Sequence, residues 1–254
     1  MAQDEAILDA VGLGKAPPTL RFYSWNPACI SLGNAQPVED LDLNRLRARG
    51  WEYVRRLSGG RSILHTDEVT YSISLPAKHP LLAGGIVESY KRLSLGLSAG
   101  LSLLGLDIHV EKEVDVTPKD RENPVCFEVP SHYELTVAGK KIVGSAQVRR
   151  KSGALQHGTV PCKGDISRIC EVLRWESEEA RSAARKRIQA RAATLKQSGA
   201  SEFQFGKVAG ALENGLTRAL NIQFKRQTLT PDEYQRTEEL LETRYRNLNW
   251  TERR

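Results

Sequence analysis

The chain has 254 residues, with 37 lysines and arginines against 31 aspartates and glutamates, a formal net charge of +6 and a pI near 9.2. This length allows one large domain or two small ones, at roughly 150 residues per domain. Hydrophobic residues at 40% and charged residues at 27% exclude a disordered chain. The most apolar stretch, residues 93–110, contains too many polar residues and glycines to predict a membrane span. The opening residues lack the pattern of a secretory signal.

The pattern of apolar and turn-forming residues predicts an ordered series of helices and strands. Helices are predicted over residues 4–12, 40–49, 85–105, 176–196 and 207–220, and from Thr230-Pro231 onward. Strands are predicted over residues 20–25, 51–56, 62–65, 69–75, 133–137, 140–148 and 154–161. Residues 115–130, with three prolines and many charges, predict a loop.

The order of these elements predicts the fold class. Strands concentrate before residue 160, and the chain is helical over about 165–254. This arrangement indicates an α+β fold with a mixed, largely antiparallel sheet flanked by helices. No linker composition separates two units, so we expect one catalytic or binding domain over residues 1–254.

The four cysteines, at positions 29, 126, 162 and 170, have neither the density of a disulfide framework nor the spacing of a zinc site. They favour a reduced, cytoplasmic protein. Basic charge concentrates in residues 149–196, which contain 12 lysines and arginines against 5 aspartates and glutamates, a net charge of +7. This segment is either the solvated face of a helix or a surface for an anionic partner.

Residues 55–65 contain paired glycines directly after a predicted strand. Glycines let a backbone approach a ligand closely, and free N–H groups there can hold an oxyanion or a phosphate. Arg55, Arg56 and Arg61 would add positive charge. A tight hairpin turn explains the same glycines without any ligand, so the segment alone leaves both interpretations open.

Two further segments combine a cysteine with a lysine. Cys126 lies in the predicted loop, with Glu128 and His132 as candidate partners, and Lys141 lies on a predicted strand. A nearby ammonium group favours the thiolate and lowers the pKa of a cysteine below about 8.5. His157, on another predicted strand, is as consistent with a structural role as with a functional one. No pair of His, Asp or Glu has a spacing that indicates a metal site.

Taken in order, these segments resemble the biotin/lipoate protein ligase family, and within it the octanoyltransferase branch represented by LipM. The resemblance rests on residues 4–6, 21–25, 31–36, 55–65, 68–72, 126–134, 139–147 and 156–158, and on Asn249-Trp250. It implies the family's catalytic fold, which is similar to that of class II synthetases, over most of the chain. Arg61 stands where ATP-dependent lipoate ligases commonly have a third glycine.

The resemblance implies a reaction and its catalytic residues. Cys126 would attack octanoyl-acyl carrier protein to form an acyl-thioester, and Lys141 would lower the pKa of its thiol. A lysine of a lipoyl domain, or more specifically of the glycine cleavage H protein, would then accept the octanoyl group as an amide. No cofactor is implied, since the thioester donor is already activated. Backbone N–H groups or Lys141 would stabilise the oxyanion.

The resemblance also implies the residues that bind substrate. They are Arg56, Ser58, Gly59, Gly60, Arg61, His65, Gly144, Ser145, Ala146 and His157. The glycine loop and the small residues at 144–146 would leave a channel for a linear C8 chain. The sequence departs from the family pattern after His65, where Thr66 replaces the usual aspartate and Asp67 follows. We expect Asp67 to compensate if that carboxylate orients a catalytic group.

Three alternative functions remain open. An ATP-dependent lipoate or octanoate ligase of the same fold would use Lys141 on the acyl-adenylate and leave Cys126 without a role. A lipoyl amidotransferase would use Cys126 between two protein acceptors. A nucleic-acid-binding module is disfavoured because the basic segment has a single aromatic residue, Trp175, among its lysines and arginines. Because acyl carrier proteins and lipoyl domains are typically acidic, we expect the segment, with Arg185, Lys186 and Arg187, to dock these proteins rather than nucleic acid or a membrane.

Overall fold

The computed structural model describes residues 1–111, 124–128 and 133–253. Its α-helices are α1 (Ala2–Gly12), α2 (Leu43–Ala48), α3 (Ile86–Ser102), α4 (Glu178–Arg191), α5 (Phe205–Leu220), α6 (Pro231–Leu240) and α7 (Leu248–Thr251). A π-helical turn, Leu241–Tyr245, joins α6 to the last helix. Short 3₁₀ helices cover Val38–Asp40, Pro80–Leu82, Cys126–Glu128 and Ile166–Glu171.

The described strands form three sheets. The strands are β1 (Thr19–Tyr23), β2 (Cys29–Leu32), β3 (Glu52–Arg55), β4 (Ile63–His65), β5 (Glu68–Pro76), β6 (His109–Glu111), β7 (Glu134–Val137), β8 (Lys140–Lys141), β9 (Gly144–Arg149) and β10 (Gly153–Pro161). The largest sheet is antiparallel in the order β1-β5-β10-β9. In the order β3-β2-β4, the β2–β3 pair is parallel and β2–β4 antiparallel. The third sheet, β6-β7-β8, is antiparallel.

Most predicted elements are confirmed with small shifts at their ends. The helix predicted over residues 176–196 ends at Arg191, because Ala192 is extended. The strand predicted over residues 140–148 is two strands, since Ile142 and Val143 between them enter the core. Strands β2 and β6 were not predicted. The helix predicted at Thr230-Pro231 begins with a capping box, in which Thr230 and Glu233 satisfy each other's backbone N–H groups.

Two apolar cores hold these layers together. One lies between the four-stranded sheet and helices α3 and α5, and includes Tyr71, Leu97 and Leu212. The other packs the β3-β2-β4 sheet against α4 and the 3₁₀ helix Ile166–Glu171, and includes Ile30 and Ile188. The glycine segment and Cys126 lie where the second core meets the large sheet, since Phe127 packs in that core and also reaches Gly144 on β9. In the part of the chain described, no helix has the length and apolarity needed to cross a membrane.

Candidate active site

The glycine loop after β3 folds around the guanidinium of Arg56. Arg56 is buried and donates from Nη2 to the carbonyl oxygens of Gly59, at 2.9 Å, and Arg61, at 2.8 Å. Its Nη1 donates to the carbonyl oxygen of Ser31 at 2.8 Å and to Ser31 Oγ at 3.2 Å. Arg56 therefore fixes the path of the loop from inside, rather than projecting outward as a surface charge.

The loop also requires a close approach between two glycines. A Cβ atom added to Gly33 would lie 1.9 Å from the carbonyl oxygen of Gly60, a distance that no side chain tolerates. Gly60 itself has φ of +92°, a conformation that favours glycine. The turn after β2 and the glycine loop are thus packed backbone against backbone, which explains both glycines without reference to a ligand.

His65 on β4 lies in a buried hydrogen-bond chain. Its Nδ1 is 2.7 Å from Glu68 Oε1, and its Nε2 is 2.7 Å from Ser31 Oγ. Its ring stacks on Trp25 with a centroid distance of 4.4 Å. Glu68 also accepts hydrogen bonds from the hydroxyls of Thr70 and Thr159. The orientation of His65 is therefore fixed from three sides.

Asp67 does not compensate for Thr66 in orienting His65. Its carboxylate pairs with Arg168 at 2.9 Å, and its own φ of +46° places it in a turn. The carboxylate that orients His65 is that of Glu68, one position further along β5. The sequence analysis assigned no role in the site to Glu68.

His157 on β10 joins the glycine loop to the large sheet. Its Nε2 is 2.6 Å from Ser58 Oγ, and both residues are buried. Burial lowers the pKa of His157 to about 3, with Asp4 opposing the shift and Arg56 adding to it. The imidazole is therefore neutral at physiological pH, and it acts on Ser58 through a hydrogen bond rather than a charge.

Cys126 begins the 3₁₀ helix Cys126–Glu128 and is half-buried. Its backbone N–H donates to the carbonyl oxygen of Ser62 at 3.1 Å, directly after the glycine loop. The other three cysteines are buried, and burial raises the pKa values of Cys29 and Cys162 to about 12. Of the four thiols, Cys126 is thus the one that is not buried, and its role as a nucleophile stays a prediction.

Lys141 is buried on β8 and has a carboxylate partner. Its Nζ lies 2.5 Å from Glu134 Oε1 on the neighbouring strand and 5.9 Å from the ring centroid of Phe127. Phe127 follows Cys126 directly in the chain, so the ammonium lies over the ring of the residue next to Cys126. The structure thus brings Lys141 to the residue that follows Cys126, and the ammonium group is ion-paired with Glu134.

The small residues of β9 lie against large neighbours. A Cβ added to Gly144 would meet Phe127 Cζ at 3.3 Å, so this ring occupies the space beside the glycine. Ser145 Oγ accepts a hydrogen bond from Tyr71 at 2.7 Å, and Ala146 pairs with His157. The C8 channel beside residues 144–146 stays a prediction, and Phe127 would have to turn aside to admit an acyl chain at Gly144.

Comparison with known proteins identifies the family of this chain. A sequence profile of the lipoyl protein ligase A/B catalytic domain matches residues 1–217. The chain belongs to this family. Octanoyltransferase LipM of Brevibacillus brevis is 36% identical over 259 residues, covering 100% of this chain and 94% of that protein. Octanoyltransferase LipM of an Exiguobacterium species is 40% identical over 261 residues, covering 100% and 93%.

Solved structures confirm the catalytic fold of the lipoyl protein ligase A/B family. The bi-partite lipoate protein ligase of Thermoplasma acidophilum superposes with a TM-score of 0.82 at 24% identity, over 99% of this chain and 89% of that one. A lipoate-protein ligase A bound with ATP gives a TM-score of 0.79 at 24% identity, over 98% and 91%. The predicted α+β fold and family membership are both confirmed.

The other two arginines of the glycine segment, Arg55 and Arg61, differ from Arg56 in their burial and contacts. Arg55 is fully buried and donates to the carbonyl oxygens of Gly33, Gln36 and Thr251, so it braces the turn after β2 and the C-terminal helix. Arg61 is half-buried, and its carbonyl oxygen accepts from Arg56. Of the candidate partners of Cys126, His132 and the side chain of Glu128 lie outside the described residues.

Much of the charge in residues 149–196 is neutralised within the chain. The internal partners are Glu5 and Asp9 for Arg150, Asp67 for Arg168, Glu178 for Arg181, and Asp165 and Glu171 for Arg185. Arg149 donates to the carbonyl oxygens of Leu82, Gly84 and Gly85. Lys186 and Arg187 are exposed on α4. Docking of acidic proteins on this segment stays a prediction, and several of its charges already have partners within the chain.

Sequence reasoning missed Ser31, Gly33 and Glu68 as parts of the site. Ser31 joins His65 to Arg56, Gly33 packs on Gly60, and Glu68 holds His65. All three lie in segments that resemble the family, so the motifs contained the signal. Their roles depend on contacts between distant parts of the chain, which spacing does not predict. Among the described residues, no group of His, Cys, Asp and Glu is arranged to hold a metal ion.

Proposed function

We propose that the protein is an octanoyltransferase of the LipM type that works through a thioester on Cys126. The observation that supports this most strongly is the position of Cys126. It is a half-buried thiol held by a backbone hydrogen bond to the end of the glycine loop, whereas the other three cysteines are buried. Relatives named octanoyltransferase LipM align over the whole chain at 35–40% identity, which supports the same activity.

The reaction has two acyl-transfer steps. The Cys126 thiolate attacks the thioester carbonyl of octanoyl-acyl carrier protein, a C–S bond forms to Cys126, and the carrier's thiolate leaves. The ε-amine of an acceptor lysine then attacks the new thioester, an amide bond forms, and the bond to Cys126 breaks. The proton lost by the amine restores the cysteine thiol. Each step passes through a tetrahedral oxyanion, which Lys141 or backbone N–H groups would stabilise.

The proposed partners follow from this chemistry. The donor is an acyl carrier protein, and the acceptor is a lipoyl domain or the glycine cleavage H protein. One structural neighbour was solved as a lipoylation system with its E2 lipoyl domain, which supports an acceptor of this class. The four free cysteines fit a reducing, cytoplasmic compartment. The substrate contacts would come from the residues around the glycine loop, β9 and His157.

An ATP-dependent ligase is not better supported. The similarity to a ligase bound with ATP is at 24% identity, which establishes the fold and not the reaction. The half-exposed thiol would have no role in an adenylation mechanism, and an acyl-thioester needs no adenylate. The two functions differ in their donor, so one experiment separates them.

The test uses octanoyl-acyl carrier protein without ATP and intact-mass spectrometry. We expect the wild-type protein to gain one octanoyl group that hydroxylamine removes. Cys126→Ala should gain none, whereas the matched variant Cys29→Ala should be loaded like the wild type, because Cys29 is buried. Loading of Cys126→Ala, or acylation that requires ATP and free octanoate, would overturn the proposal. Adding an apo lipoyl domain or an apo H protein to the loaded enzyme identifies the acceptor.

A further inference from the structure

Glu68 is a buried carboxylate that accepts hydrogen bonds from three strands of the site. It begins β5, and its Oε1 lies 2.7 Å from His65 Nδ1 on β4. The same oxygen accepts from the hydroxyl of Thr70 on β5, and Oε2 accepts from the hydroxyl of Thr159 on β10. One carboxylate therefore joins the β3-β2-β4 sheet to the two central strands of the large sheet.

A chain of hydrogen bonds leads from Glu68 to the glycine loop. Because a carboxylate only accepts hydrogen bonds, His65 donates from Nδ1 to Glu68. Its Nε2 then accepts from Ser31 Oγ at 2.7 Å, and Ser31 Oγ accepts from Arg56 at 3.2 Å. Arg56 in turn donates to two carbonyl oxygens of the glycine loop. Every link joins a donor to an acceptor, so the chain is continuous from the carboxylate to the loop.

A second chain from the same carboxylate fixes the His65 ring. Trp25 donates from Nε1 to Thr70 Oγ1 at 2.9 Å, and Thr70 donates to Glu68. The Trp25 ring stacks on His65 with an angle of 16° between the ring planes. Glu68 thus holds the imidazole directly and the indole through a threonine. Rotation of His65 would break its hydrogen bond to Glu68 and its stacking on Trp25 together.

The first chain also joins a buried cation to a buried anion. The hydrogen bonds of Arg56 within the described residues go to backbone carbonyl oxygens and the Ser31 hydroxyl, and none goes to a carboxylate. A buried charge is costly unless hydrogen bonds and an opposite charge compensate it. Two side chains, those of Ser31 and His65, lie between this cation and the carboxylate of Glu68. Loss of the carboxylate would therefore weaken the hold on the guanidinium.

We propose that Glu68 is a positioning residue that holds the glycine loop in the conformation that binds the donor thioester. It acts through His65, Ser31 and Arg56. The proposal deepens the proposed octanoyltransferase function and rests on it, since that function makes the loop a substrate-binding segment. The hydrogen bonds of the chain are internal and do not change as the thioester reacts. Glu68 therefore contributes to the affinity for the donor and little to the rate of the bound complex.

The experiment compares Glu68→Gln, Glu68→Ala, Ser31→Ala and the double variant that combines the two alanine substitutions. Glu233→Ala is the matched control, because Glu233 is also a buried carboxylate that accepts from a threonine hydroxyl, at the start of α6 and outside the chain. Single-turnover loading with octanoyl-acyl carrier protein gives the half-saturating donor concentration and the limiting rate. Hydrogen exchange without substrate follows the N–H of Asn34, which donates to the carbonyl oxygen of Ser58 in the glycine loop. Thermal unfolding shows which variants are folded.

We expect Glu68→Ala to raise the half-saturating donor concentration about three- to tenfold, the usual effect of losing a buried hydrogen bond. The limiting rate should change by less than about twofold. The Asn34 N–H should exchange faster, by about the same factor as the half-saturating concentration rises. Glu68→Gln keeps one acceptor oxygen and should lie between Glu68→Ala and the wild type. In the double variant the effect should be smaller than the product of the two single effects, because both substitutions break one chain. Glu233→Ala should match the wild type in both measurements.

The outcomes separate this proposal from the proposed function. If folded Glu68→Ala keeps the wild-type half-saturating concentration and Asn34 exchange, Glu68 does not position the loop and the inference is wrong. Effects that multiply in the double variant would also overturn it, since the two residues would then act independently. Should Glu68→Ala fail to fold, Glu68→Gln replaces it in the same comparison with Ser31→Ala. If Asn34 exchange changes as expected but the wild-type protein never gains an octanoyl group, Glu68 positions the loop and the proposed function fails.

Discussion

His157 shows how strongly burial can change the chemistry of one residue in this fold. A solvent-exposed histidine is partly protonated near neutral pH, whereas burial lowers the pKa of His157 from 6.5 to about 3. The neutral ring forms a hydrogen bond between its Nε2 and Ser58 Oγ, 2.6 Å apart, and adds no second positive charge near Arg56. The glycine loop therefore contacts one buried cation, Arg56, and one neutral ring, His157.

This shift predicts a pH dependence of stability. Between pH 6.5 and about 3, the unfolded chain binds a proton at His157 that the folded protein does not bind. Stability contributed by the neutral ring is therefore complete above pH 6.5 and falls as the pH is lowered, by up to about 1.4 kcal/mol per pH unit. The pKa values of Asp4 and Glu5 are also lowered, so these carboxyl groups add a further loss as the pH falls through their ordinary values of 3.8 and 4.5.

Urea unfolding between pH 7 and pH 5.5 measures this contribution, because ordinary carboxyl groups stay ionised in that window. We expect His157→Gln to flatten the fall in unfolding free energy, whatever its stability at pH 7. His109→Gln serves as the control, since the His109 side chain is 61% exposed. An equally steep fall in His157→Gln and the wild type would show that His157 is not kept neutral by the fold.

At the scale of elements, the site is built where the turn after β2 meets the glycine loop after β3. The parallel pairing of β2 with β3 brings these two connections side by side. Arg56 then binds the carbonyl oxygen of Ser31, on β2, and that of Gly59, in the glycine loop. Backbone packing and one buried guanidinium together determine the shape of the loop, so its glycines are needed at particular positions and not merely as a flexible pair.

Alanine substitutions at two glycines test this view. Gly33→Ala would place a Cβ 1.9 Å from the carbonyl oxygen of Gly60, so backbone must move, at a cost of about 1–3 kcal/mol or more. Gly59→Ala is the matched control for stability, because a Cβ there meets no atom within 4 Å. We expect a lower thermal midpoint for Gly33→Ala alone. Equal midpoints for the two variants would contradict the close approach.

How much the sequence predicts differs between local and distant contacts. The helix over residues 85–105 and the strand over residues 69–75 have strong periodicity, and both were confirmed near their predicted ends. Strand β2 was not predicted, because its hydrogen bonds go to β3 and β4, more than twenty residues further along the chain. Substrate binding by Arg56 stays a prediction, and its acceptors within the chain, carbonyl oxygens and the Ser31 hydroxyl, are groups that only the folded chain brings together.

At the scale of the whole molecule, both ends of the chain contact strands that form the site. Helix α1 buries Glu5 in ion pairs with Arg150 and Arg244, and its Asp4 binds Arg21 and Ser72. The C-terminal helix α7 contacts β3, where Arg55 donates to the carbonyl oxygen of Thr251. Residues beyond 217, which the family profile does not cover, thus support the segment that begins the glycine loop.

Trp250 provides a direct test of this C-terminal support. Its indole Nε1 donates to the carbonyl oxygen of Arg55 at 3.0 Å, one peptide before Arg56. Trp250→Phe removes this hydrogen bond and keeps an aromatic ring for Arg253, which lies 3.7 Å from the ring centroid. We expect a loss of about 0.5–1.5 kcal/mol in unfolding free energy. The rate of octanoyl loading should also fall, because the loop around Arg56 loses an anchor.

Trp51→Phe is the matched control, since Trp51 is also half-buried and stacks under Arg49. Its indole N–H has no hydrogen-bond partner within the part of the chain described, so the substitution removes ring area alone. Urea unfolding and the loading rate with octanoyl-acyl carrier protein are measured on both variants at 25 °C. If Trp250→Phe and Trp51→Phe lose the same stability and load at the same rate, the C-terminal helix packs on β3 without bracing the glycine loop. A slower rate confined to Trp250→Phe would show that residues beyond the family profile help to hold the glycine loop.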